Sequence, residues 1–331
     1  MFDLIPTPTT ELATLTADRV ALDLNLQAGK AASTRAAYRS DGRAFATWCR
    51  ARGLDPLAAT PDTIALHLSS AAGQGLAPSS CGRRLAGIAY FLQTGGVSDE
   101  ALPTRSKLAR ETLAGIRRRH AQPSKRKAAA TTDVVRALLD TCGTDMLGLR
   151  DRALLTLGFG CALRRSELVA LNVADIEEVK EGLRVTIRRS KTDQLGAGYT
   201  VPLGHGSRLR PVAALQAWLH AAGIEDGPLF LGVHRSGKVR PQRARKGVIY
   251  SGRLTAGMVG LVVKRRAILA GLDSRQFSGH SLRAGFVTSA AEHGANIFKI
   301  MDVTRHKSVD VLKGYVRSRE MFKDYAGDGI L

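Results

Sequence analysis

The first 119 residues carry apolar side chains at helical spacing, three to four positions apart, without the alternating pattern typical of strands. Each apolar segment follows a residue that favours a helix N-terminus, and glycine ends most of them. We therefore predict a small all-α domain over residues 31–119. Its helices run from about Ser33 to Gly53, from Asp62 to Gly73, from Ser79 to Gly95 and from Ser106 to Arg119. The Thr- and Pro-rich residues 1–30 predict a flexible N-terminal arm with one helix near residues 13–26.

The chain after residue 131 mixes helical and strand-like spacing. Leu183, Val185 and Ile187 alternate with polar residues, which predicts a half-buried strand. Residues 199–203 are its expected partner, across a hairpin loop at 191–198. Further helices are expected to begin near residues 132, 149, 211, 255, 281, 295 and 308. The predicted fold class is therefore mainly α with a small antiparallel sheet, that is, α+β.

A linker is predicted at residues 120–131, whose sequence HAQPSKRKAAAT combines proline, serine, small residues and three consecutive basic side chains. A length of 331 residues also fits two domains of about 150 residues each. The basic run is either a solvated hinge or a segment suited to lie along a phosphate backbone.

Charge narrows the function further. The chain has 49 Lys and Arg against 29 Asp and Glu, a formal net charge of +20. This balance indicates a polyanionic partner, nucleic acid ahead of an anionic membrane, although a protein that is basic only for solubility is the alternative. The longest apolar run, residues 153–163, falls short of the roughly 20 residues that span a bilayer, and no secretory signal is visible. Scattered cysteines and the lack of a phosphate-binding glycine-lysine loop predict a cytoplasmic, ATP-independent, nucleic-acid-binding protein.

Three short motifs carry side chains suited to phosphate chemistry. They are ALRRSEL at residues 162–168, GHSLR at 279–283, and RHKS at 305–308 with GYVR at 314–317. Taken singly, each has a plain structural interpretation: a surface turn with an Arg–Glu pair, a helix cap with an exposed arginine, and a tyrosine used for packing. The joint pattern is much harder to explain in this way.

Together with RSKT in the predicted hairpin, these motifs resemble those of the tyrosine recombinase, or phage integrase, family. They follow the family's order, with His306 nine residues and Arg283 thirty-two residues before Tyr315. The likeness covers about residues 132–320 and extends, less specifically, to the helical domain. It implies a DNA-binding core-binding domain, then a catalytic domain with a C-terminal tail, most similar to the Cre-like bacterial and phage members.

The resemblance implies a role for each motif residue. Tyr315 would attack the scissile phosphate, giving a 3′-phosphotyrosyl link and a free 5′-hydroxyl. The other implied roles are phosphate binding by Arg164, Arg283 and His306, phosphate contact and proton acceptance by His280, proton donation to the 5′-oxygen by Lys191, and support of the site by Glu167. Arg188 and Arg189 lie close to Lys191 and are alternatives for its role. The family commonly has glycine where this chain has Ala162, a departure that concerns the local turn.

The implied chemistry needs no metal ion, ATP or other cofactor, because paired guanidiniums stabilise the charge of phosphoryl transfer. The implied partners are a double-stranded DNA recombination site and further copies of the chain, two on each site and four in synapsis around a Holliday junction. Whether an accessory protein or a partner recombinase is needed stays open. The C-terminal residues 322–331 are either a segment that docks on a neighbouring copy or a frayed end.

DNA contacts are expected from both domains, closing on the duplex like a clamp, mostly through phosphates. The candidates are Arg83, Arg84, Lys107, Arg110 and Arg117 in the helical domain, Lys125, Arg126 and Lys127 in the linker, and Arg240, Arg243, Arg245, Lys246, Lys264, Arg265 and Arg266 in the catalytic domain. Two other functions compete with recombination. One is a nicking-closing enzyme of the type IB topoisomerase kind, and the other is a DNA-binding regulator that no longer cuts.

Overall fold

The computed structural model divides the chain into two compact units, Met1–Ser124 and Lys125–Leu331. It describes residues 8–121, 127–188, 198–240, 243–245, 248–306, 308, 309 and 312. Each unit has its own hydrophobic core. Within the ranges that the structure describes, no helix is both long and apolar enough to cross a membrane.

The N-terminal unit is built of helices. They are α1 (Pro8–Ala28), α2 (Ala32–Arg50), α3 (Pro61–Gly73), α4 (Pro78–Thr94) and α5 (Lys107–Arg119). The start of α3 is set by Thr60, whose hydroxyl accepts from the backbone N–H of Thr63 at 3.3 Å, and Ser106 caps α5 in the same way. The four predicted helices after residue 30 are therefore present, with ends within a few residues of those expected, while α1 begins earlier than the predicted residues 13–26.

Close packing of α2 against α4 forms the centre of this unit. Glycines at the contact permit it, since a Cβ on Gly42 would lie 2.7 Å from Phe91 Cβ, and one on Gly87 would lie 2.6 Å from Asp41 Cβ. Phe45 is fully buried beside them, with α3 and α5 completing the core. This packing brings the basic residues at the start of α4 next to the buried carboxylate of α2.

The C-terminal unit surrounds one buried helix. Its helices are α6 (Thr132–Asp140), α7 (Met146–Gly160), α8 (Arg165–Ala170), α9 (Pro211–Ala222), α10 (Ala256–Leu269), α11 (Ser281–Glu292) and α12 (Ile297–Thr304). Helix α7 contacts α6, α8, α9, α10 and α11. Leu154, Leu155 and Leu157 on successive positions of α7 are all fully buried, as expected of a helix covered on every side. The C-terminal end of α7 leads directly into the ALRRSEL motif.

A three-stranded antiparallel sheet lies between α8 and α9 along the chain. Its strands are β1 (Ile176–Val179), β2 (Gly182–Ile187) and β3 (Tyr199–Gly204), in the order β1-β2-β3. Leu183 pairs with Leu203 and Val185 with Val201, and these alternating side chains face the core. The predicted pairing of these two strands and the α+β class are confirmed, and residues 191–197 of the predicted hairpin loop lie outside the described residues.

The structure also contains elements that the periodicity did not predict. Strand β1 has glutamates at both central positions, so it shows no apolar alternation, and it pairs with β2 along its whole length. A further hairpin joins β4 (Arg243–Arg245) to β5 (Val248–Tyr250), each only three residues long. Helix α8 has only six residues, and no helix is predicted there from the sequence. Short segments of this kind carry too few positions for a period to be detected.

Candidate active site

The ALRRSEL motif begins at a tight helix end. The N–H of Ala162 donates to the carbonyl of Phe159 at 2.9 Å, and that of Leu163 donates to the carbonyl of Gly158 at 3.1 Å. This pair of bonds is a Schellman motif, whose key position adopts the left-handed conformation. Ala162 occupies that position with φ of +47° and is fully buried. The motif turns the chain sharply and places Arg164 immediately before α8.

Glu167 is a buried carboxylate that holds two arginines. Its Oε1 accepts from Nη1 of Arg164 at 2.6 Å, and its Oε2 accepts from the backbone N–H of Arg164 at 2.9 Å. Oε2 also accepts from Nη2 of Arg305 at 2.7 Å. The side chains of Glu167, Arg305 and Arg164 are 2%, 8% and 20% exposed, so Arg164 is the member of the cluster that reaches furthest toward solvent.

Arg283 on α11 is buried, so the alternative of an exposed arginine in the GHSLR motif is wrong. Its Nη1 donates to the carbonyl of Ala162 at 2.8 Å, and its Nη2 donates to the carbonyl of Thr304. One guanidinium thus joins the end of α7 to the end of α12. Arg283 and Arg164 come from segments 119 positions apart in the chain, and the Ala162 turn connects them.

Two histidines lie within the electrostatic field of these arginines. Loss of hydration is the main cause that lowers the pKa of His280, although the ring stays accessible at the surface, and the charges of Arg283, Arg164 and Arg165 lower it further. For His306, burial and then the charges of Arg283, Arg164, His280 and Arg305 lower the pKa to about 4. Both groups are therefore near the same cluster of positive charge.

A hydrogen bond orients His306. Its Nδ1 lies 2.8 Å from the hydroxyl of Thr304, and that hydroxyl already donates to the carbonyl of Ile300 at 2.7 Å. Since a hydroxyl has a single proton, Nδ1 of His306 must be the donor to Thr304. The neutral ring then carries its lone pair on Nε2, which becomes a donor when the ring is protonated.

Other predicted catalytic residues cannot be placed. Tyr315, Lys191 and Arg189 lie outside the described residues. Arg188, an alternative to Lys191, is described, and its side chain is paired with the buried carboxylate of Asp175. This ion pair gives Arg188 a structural partner within the catalytic unit.

The basic residues predicted to contact DNA fall into several groups. Arg110, Arg117, Arg240, Lys264 and Arg265 are exposed. Arg83 and Arg84 pair with Asp41, Lys107 pairs with Glu111, and Lys127 donates to the carbonyl of Arg275. Arg243 and Arg245 lie in β4, where only the backbone is described, and Lys125, Arg126 and Lys246 lie outside the described residues.

Arg266 corrects one expectation. It is 4% exposed, and its Nη2 lies 2.7 Å from Oδ2 of Asp151 inside the core. The basic run KRR at residues 264–266 suggested three surface cations, but the third position of a helical run faces a different direction from the first two. Arg266 is therefore unavailable to DNA.

Two site residues were missed as members of the site. Arg305 reaches Glu167 from 138 positions along the chain, and Thr304 holds both Arg283 and His306. Arg305 stood in a quoted motif, but as one cation in a basic run. No local pattern distinguishes an arginine that is buried against a distant carboxylate.

Comparison with known proteins identifies the family. The model of the phage integrase family matches residues 129–321. The chain is 34% identical over 304 residues to an integrase/recombinase XerD homolog of Selenomonas ruminantium, covering 91% of this chain and 86% of that one. It is 31% identical over 300 residues to the tyrosine recombinase XerD of Xanthomonas axonopodis pv. citri, covering 87% of each chain.

Solved structures agree at the level of the fold. A lambda integrase dimer bound to a COC′ core site aligns with a TM-score of 0.57 and 18% identity, covering 91% of this chain and 76% of that one. The XerH site-specific recombinase, in a post-cleavage complex with a palindromic difH substrate, aligns with a TM-score of 0.55 and 16% identity, covering 82% and 72%. With a family model over more than half of its length and a relative 34% identical across 91% of it, the chain belongs to the phage integrase family and is a tyrosine-type site-specific recombinase.

Proposed function

We propose that this recombinase cleaves and rejoins double-stranded DNA through a 3′-phosphotyrosyl intermediate and a Holliday junction, without metal or ATP. The observation that carries the proposal is the cluster of Arg164, Arg283, His280 and His306 around the turns at residues 162 and 304. The cluster combines fixed positive charge with titratable rings at one place on the catalytic unit. A tetrahedral phosphate with developing negative charge is the ligand that this chemistry suits.

Arg164 and Arg283 would bind the non-bridging oxygens of the scissile phosphate. Guanidinium groups stay charged at any working pH and offer several donors in one plane, which suits two phosphate oxygens. Nη1 of Arg164 donates to Oε1 of Glu167 at 2.6 Å, and Nη1 of Arg283 donates to the carbonyl of Ala162 at 2.8 Å. Both guanidinium groups are therefore held in place before DNA binds. Preorganised charge of this kind lowers the barrier without reorganisation during the reaction.

The histidines would change protonation when the phosphate binds. In the protein alone, burial and then the neighbouring cations lower the pKa of both rings, which favours the neutral form at pH 7. An anion placed among these groups favours the protonated form and raises each pKa. His306, with Nδ1 committed to Thr304, would then donate from Nε2 to a phosphate oxygen. His280 would accept the proton of the attacking phenol.

Tyr315 would form the covalent bond, and Lys191 would protonate the departing 5′-oxygen. The phenol oxygen attacks phosphorus as its proton leaves, the bond to the 5′-oxygen breaks, and the leaving oxygen takes a proton from the ammonium. A free phenol has a pKa near 10, so cations near the reacting oxygen are needed to favour its ionised form. The free 5′-hydroxyl of a second strand reverses the same steps, so the bond energy is conserved.

The partner would be a DNA recombination site, with exposed Arg110, Arg117, Arg240, Lys264 and Arg265 as phosphate contacts. We place the activity in the bacterial or phage-infected cytoplasm, at the nucleoid, with two copies on each site and four in synapsis. Two relatives solved with DNA support this proposal, because a lambda integrase dimer is bound to a core site and XerH is bound to a difH substrate.

The test is covalent trapping on a nicked suicide duplex. The duplex carries a site selected from random DNA by repeated rounds of binding, and the reaction contains chelator and no ATP. We expect a protein–DNA adduct that resists denaturant with the wild-type chain and is lost in Tyr315→Phe. Tyr325→Phe, a matched change ten positions later, should leave the adduct yield intact.

Each other outcome decides between the rival functions. Tight, specific binding without an adduct would contradict cleavage and favour a non-cutting regulator. Relaxation of a supercoiled plasmid that carries no second site, at the same rate as one with two sites, would favour a nicking-closing enzyme. An adduct that persists in Tyr315→Phe would show that another residue is the nucleophile.

A further inference from the structure

The turn after α12 has an unusual backbone. Arg305 adopts a left-handed conformation with φ of +57°, which an arginine reaches only at an energetic cost because its Cβ meets the backbone. Glycine would adopt this conformation freely. The cost implies that the arginine side chain does something at this position that glycine could not do.

Burial of the Arg305 side chain adds a second cost. Its side chain is 8% exposed, and its Nη2 lies 2.7 Å from Oε2 of Glu167. Its Nε and Nη1 are buried with no hydrogen-bond partner among the residues that the structure describes. A buried cation with unsatisfied donors destabilises a fold, and Glu167 already has Arg164 as a counter-charge. Fold stability alone therefore does not explain Arg305.

The two neighbours of Arg305 are both joined to the site. The carbonyl of Thr304 accepts from Arg283, and its hydroxyl lies 2.8 Å from Nδ1 of His306. The turn at residues 304–306 therefore touches Arg283 directly, carries His306, and reaches Arg164 through Glu167. The turn at Ala162 is a second link between Arg283 and Arg164, because its carbonyl accepts from Nη1 of Arg283.

We propose that Arg305 is a positioning residue for DNA cleavage, which fixes Glu167 and through it orients Arg164 toward the scissile phosphate. The inference rests on the proposed function, since it concerns the geometry of that phosphate site. Oε2 of Glu167 would otherwise be held only by the backbone N–H of Arg164, and the carboxylate could rotate about its last bond. With Arg305 on Oε2, Oε1 is left for Nη1 of Arg164.

Arg305 acts on the reaction step and leaves DNA affinity unchanged. We assign Arg305 no contact with the duplex, because its Nη2 is bound to Glu167 and the phosphate oxygens are assigned to Arg164 and Arg283. Misplacement of a phosphate-binding fork by about 1 Å costs up to about 100-fold in rate without removing a binding contact. The expected signature is a lower cleavage rate at saturating protein with an unchanged dissociation constant.

The experiment compares Arg305→Gly, Arg305→Lys and Arg210→Gly in single-turnover cleavage of the suicide duplex, with DNA binding and thermal unfolding measured on the same full-length preparations. Arg305→Gly should cleave about 10- to 100-fold more slowly, bind DNA within 2-fold of wild type, and unfold at the same or a higher temperature. Arg305→Lys keeps one donor for Glu167 and should recover part of the rate. Arg210 is a second arginine with a left-handed backbone among the described residues, with φ of +48° at the start of α9, so Arg210→Gly relieves similar strain outside the site and controls for it.

A double-mutant cycle tests whether Arg305 affects cleavage through Glu167. If Arg305 acts through Glu167, then Glu167→Gln already removes its effect, and the double variant with Arg305→Gly should be no slower than Glu167→Gln alone. Losses that multiply would overturn the proposed route. Cleavage by folded Arg305→Gly within 3-fold of wild type would overturn the inference while leaving the proposed function standing. No adduct from the wild-type chain would overturn both.

Discussion

Two buried carboxylates in the C-terminal unit each hold two arginines, and their surroundings differ. Asp151, inside α7, binds Nε and Nη2 of Arg150 at 3.0 and 2.6 Å and lies 2.7 Å from Nη2 of Arg266. Glu167, on the short α8, binds Arg164 and Arg305 over similar distances. In charge and chemistry the two clusters are nearly the same.

What separates them is how completely the hydrogen bonds are made and how the backbone is held. Around Asp151 all side chains are at most 4% exposed, and Nη1 of Arg266 finds the carbonyl of Thr141 at 2.7 Å. Around Glu167, Arg164 reaches the surface, while Nε and Nη1 of Arg305 have no hydrogen-bond partner among the described residues. Ala162 and Arg305, in the two turns beside this cluster, both have left-handed backbones. A saturated cluster joins helices together. Backbone strain and unmet hydrogen bonds of the Glu167 kind are typical of functional sites.

The largest expected effect is on the stability of the Asp151 cluster. Asp151→Asn removes the charge that two buried arginines share, so the free energy of unfolding should fall by about 3–5 kcal/mol. The phosphate site does not use this carboxylate, so the rate of cleavage per folded molecule should be retained. Urea unfolding followed by circular dichroism measures the first quantity, and single-turnover trapping at low temperature measures the second.

Glu167→Gln is the matched comparison, because it neutralises the other carboxylate with an equally conservative change. Its main effect should be on the cleavage rate at equal folded concentration. If Asp151→Asn lowered the cleavage rate as much as Glu167→Gln does, the distinction between the two clusters would be wrong.

A third buried polar group sharpens the comparison, because it has unmet hydrogen bonds without backbone strain. His67 in the N-terminal unit is 2% exposed, lies edge-on to the rings of Phe45 and Trp48, and has no partner for either ring nitrogen within the described structure. Burial, with smaller contributions from Arg84 and Arg52, lowers the pKa of His67 to about 4. This ring can lose its charge when it is buried, whereas the Arg305 guanidinium stays charged.

The sign of the resulting pH dependence follows from the lowered pKa. Between the unfolded value near 6.5 and the folded value near 4, the unfolded chain binds more protons, so stability is complete above pH 6.5 and falls as the pH drops. From pH 7.5 to pH 5, His67 should cost about 2 kcal/mol of unfolding free energy. Urea unfolding at both pH values should show this loss in the wild type and a loss smaller by that amount in His67→Leu. An equal loss in both proteins would show that His67 titrates normally.

Local sequence signals predicted the helices well and the buried charge clusters poorly. Helices α3 and α5 begin where Thr60 and Ser106 cap them, and the β2–β3 hairpin follows its alternation, because these features depend on residues close together in the chain. Arg83 lies in a basic run that suggested a free surface cation, yet it binds Asp41 at 2.7 Å from 42 positions away. Only the resemblance to the family implied that Arg164 and Arg283 act on one phosphate, and periodicity gave no such indication.

The smallest expected effect concerns the backbone strain at Ala162, which is the second feature that distinguishes the Glu167 cluster from the Asp151 cluster. Ala162 is held at φ of +47° by the Schellman bonds, in a conformation that disfavours any side chain with a Cβ by roughly 1–2 kcal/mol. Ala162→Gly relieves that strain but also removes a buried methyl group worth about 0.8 kcal/mol. The free energy of unfolding should therefore rise by about 0.5 kcal/mol, measured by urea unfolding at pH 7.5. Ala162→Val should change it in the opposite direction and by more, since a β-branched side chain fits the left-handed region worst. If glycine destabilised the protein instead, the methyl contact would outweigh the strain, and the turn that joins Arg164 to Arg283 would be held by packing rather than against its own backbone preference.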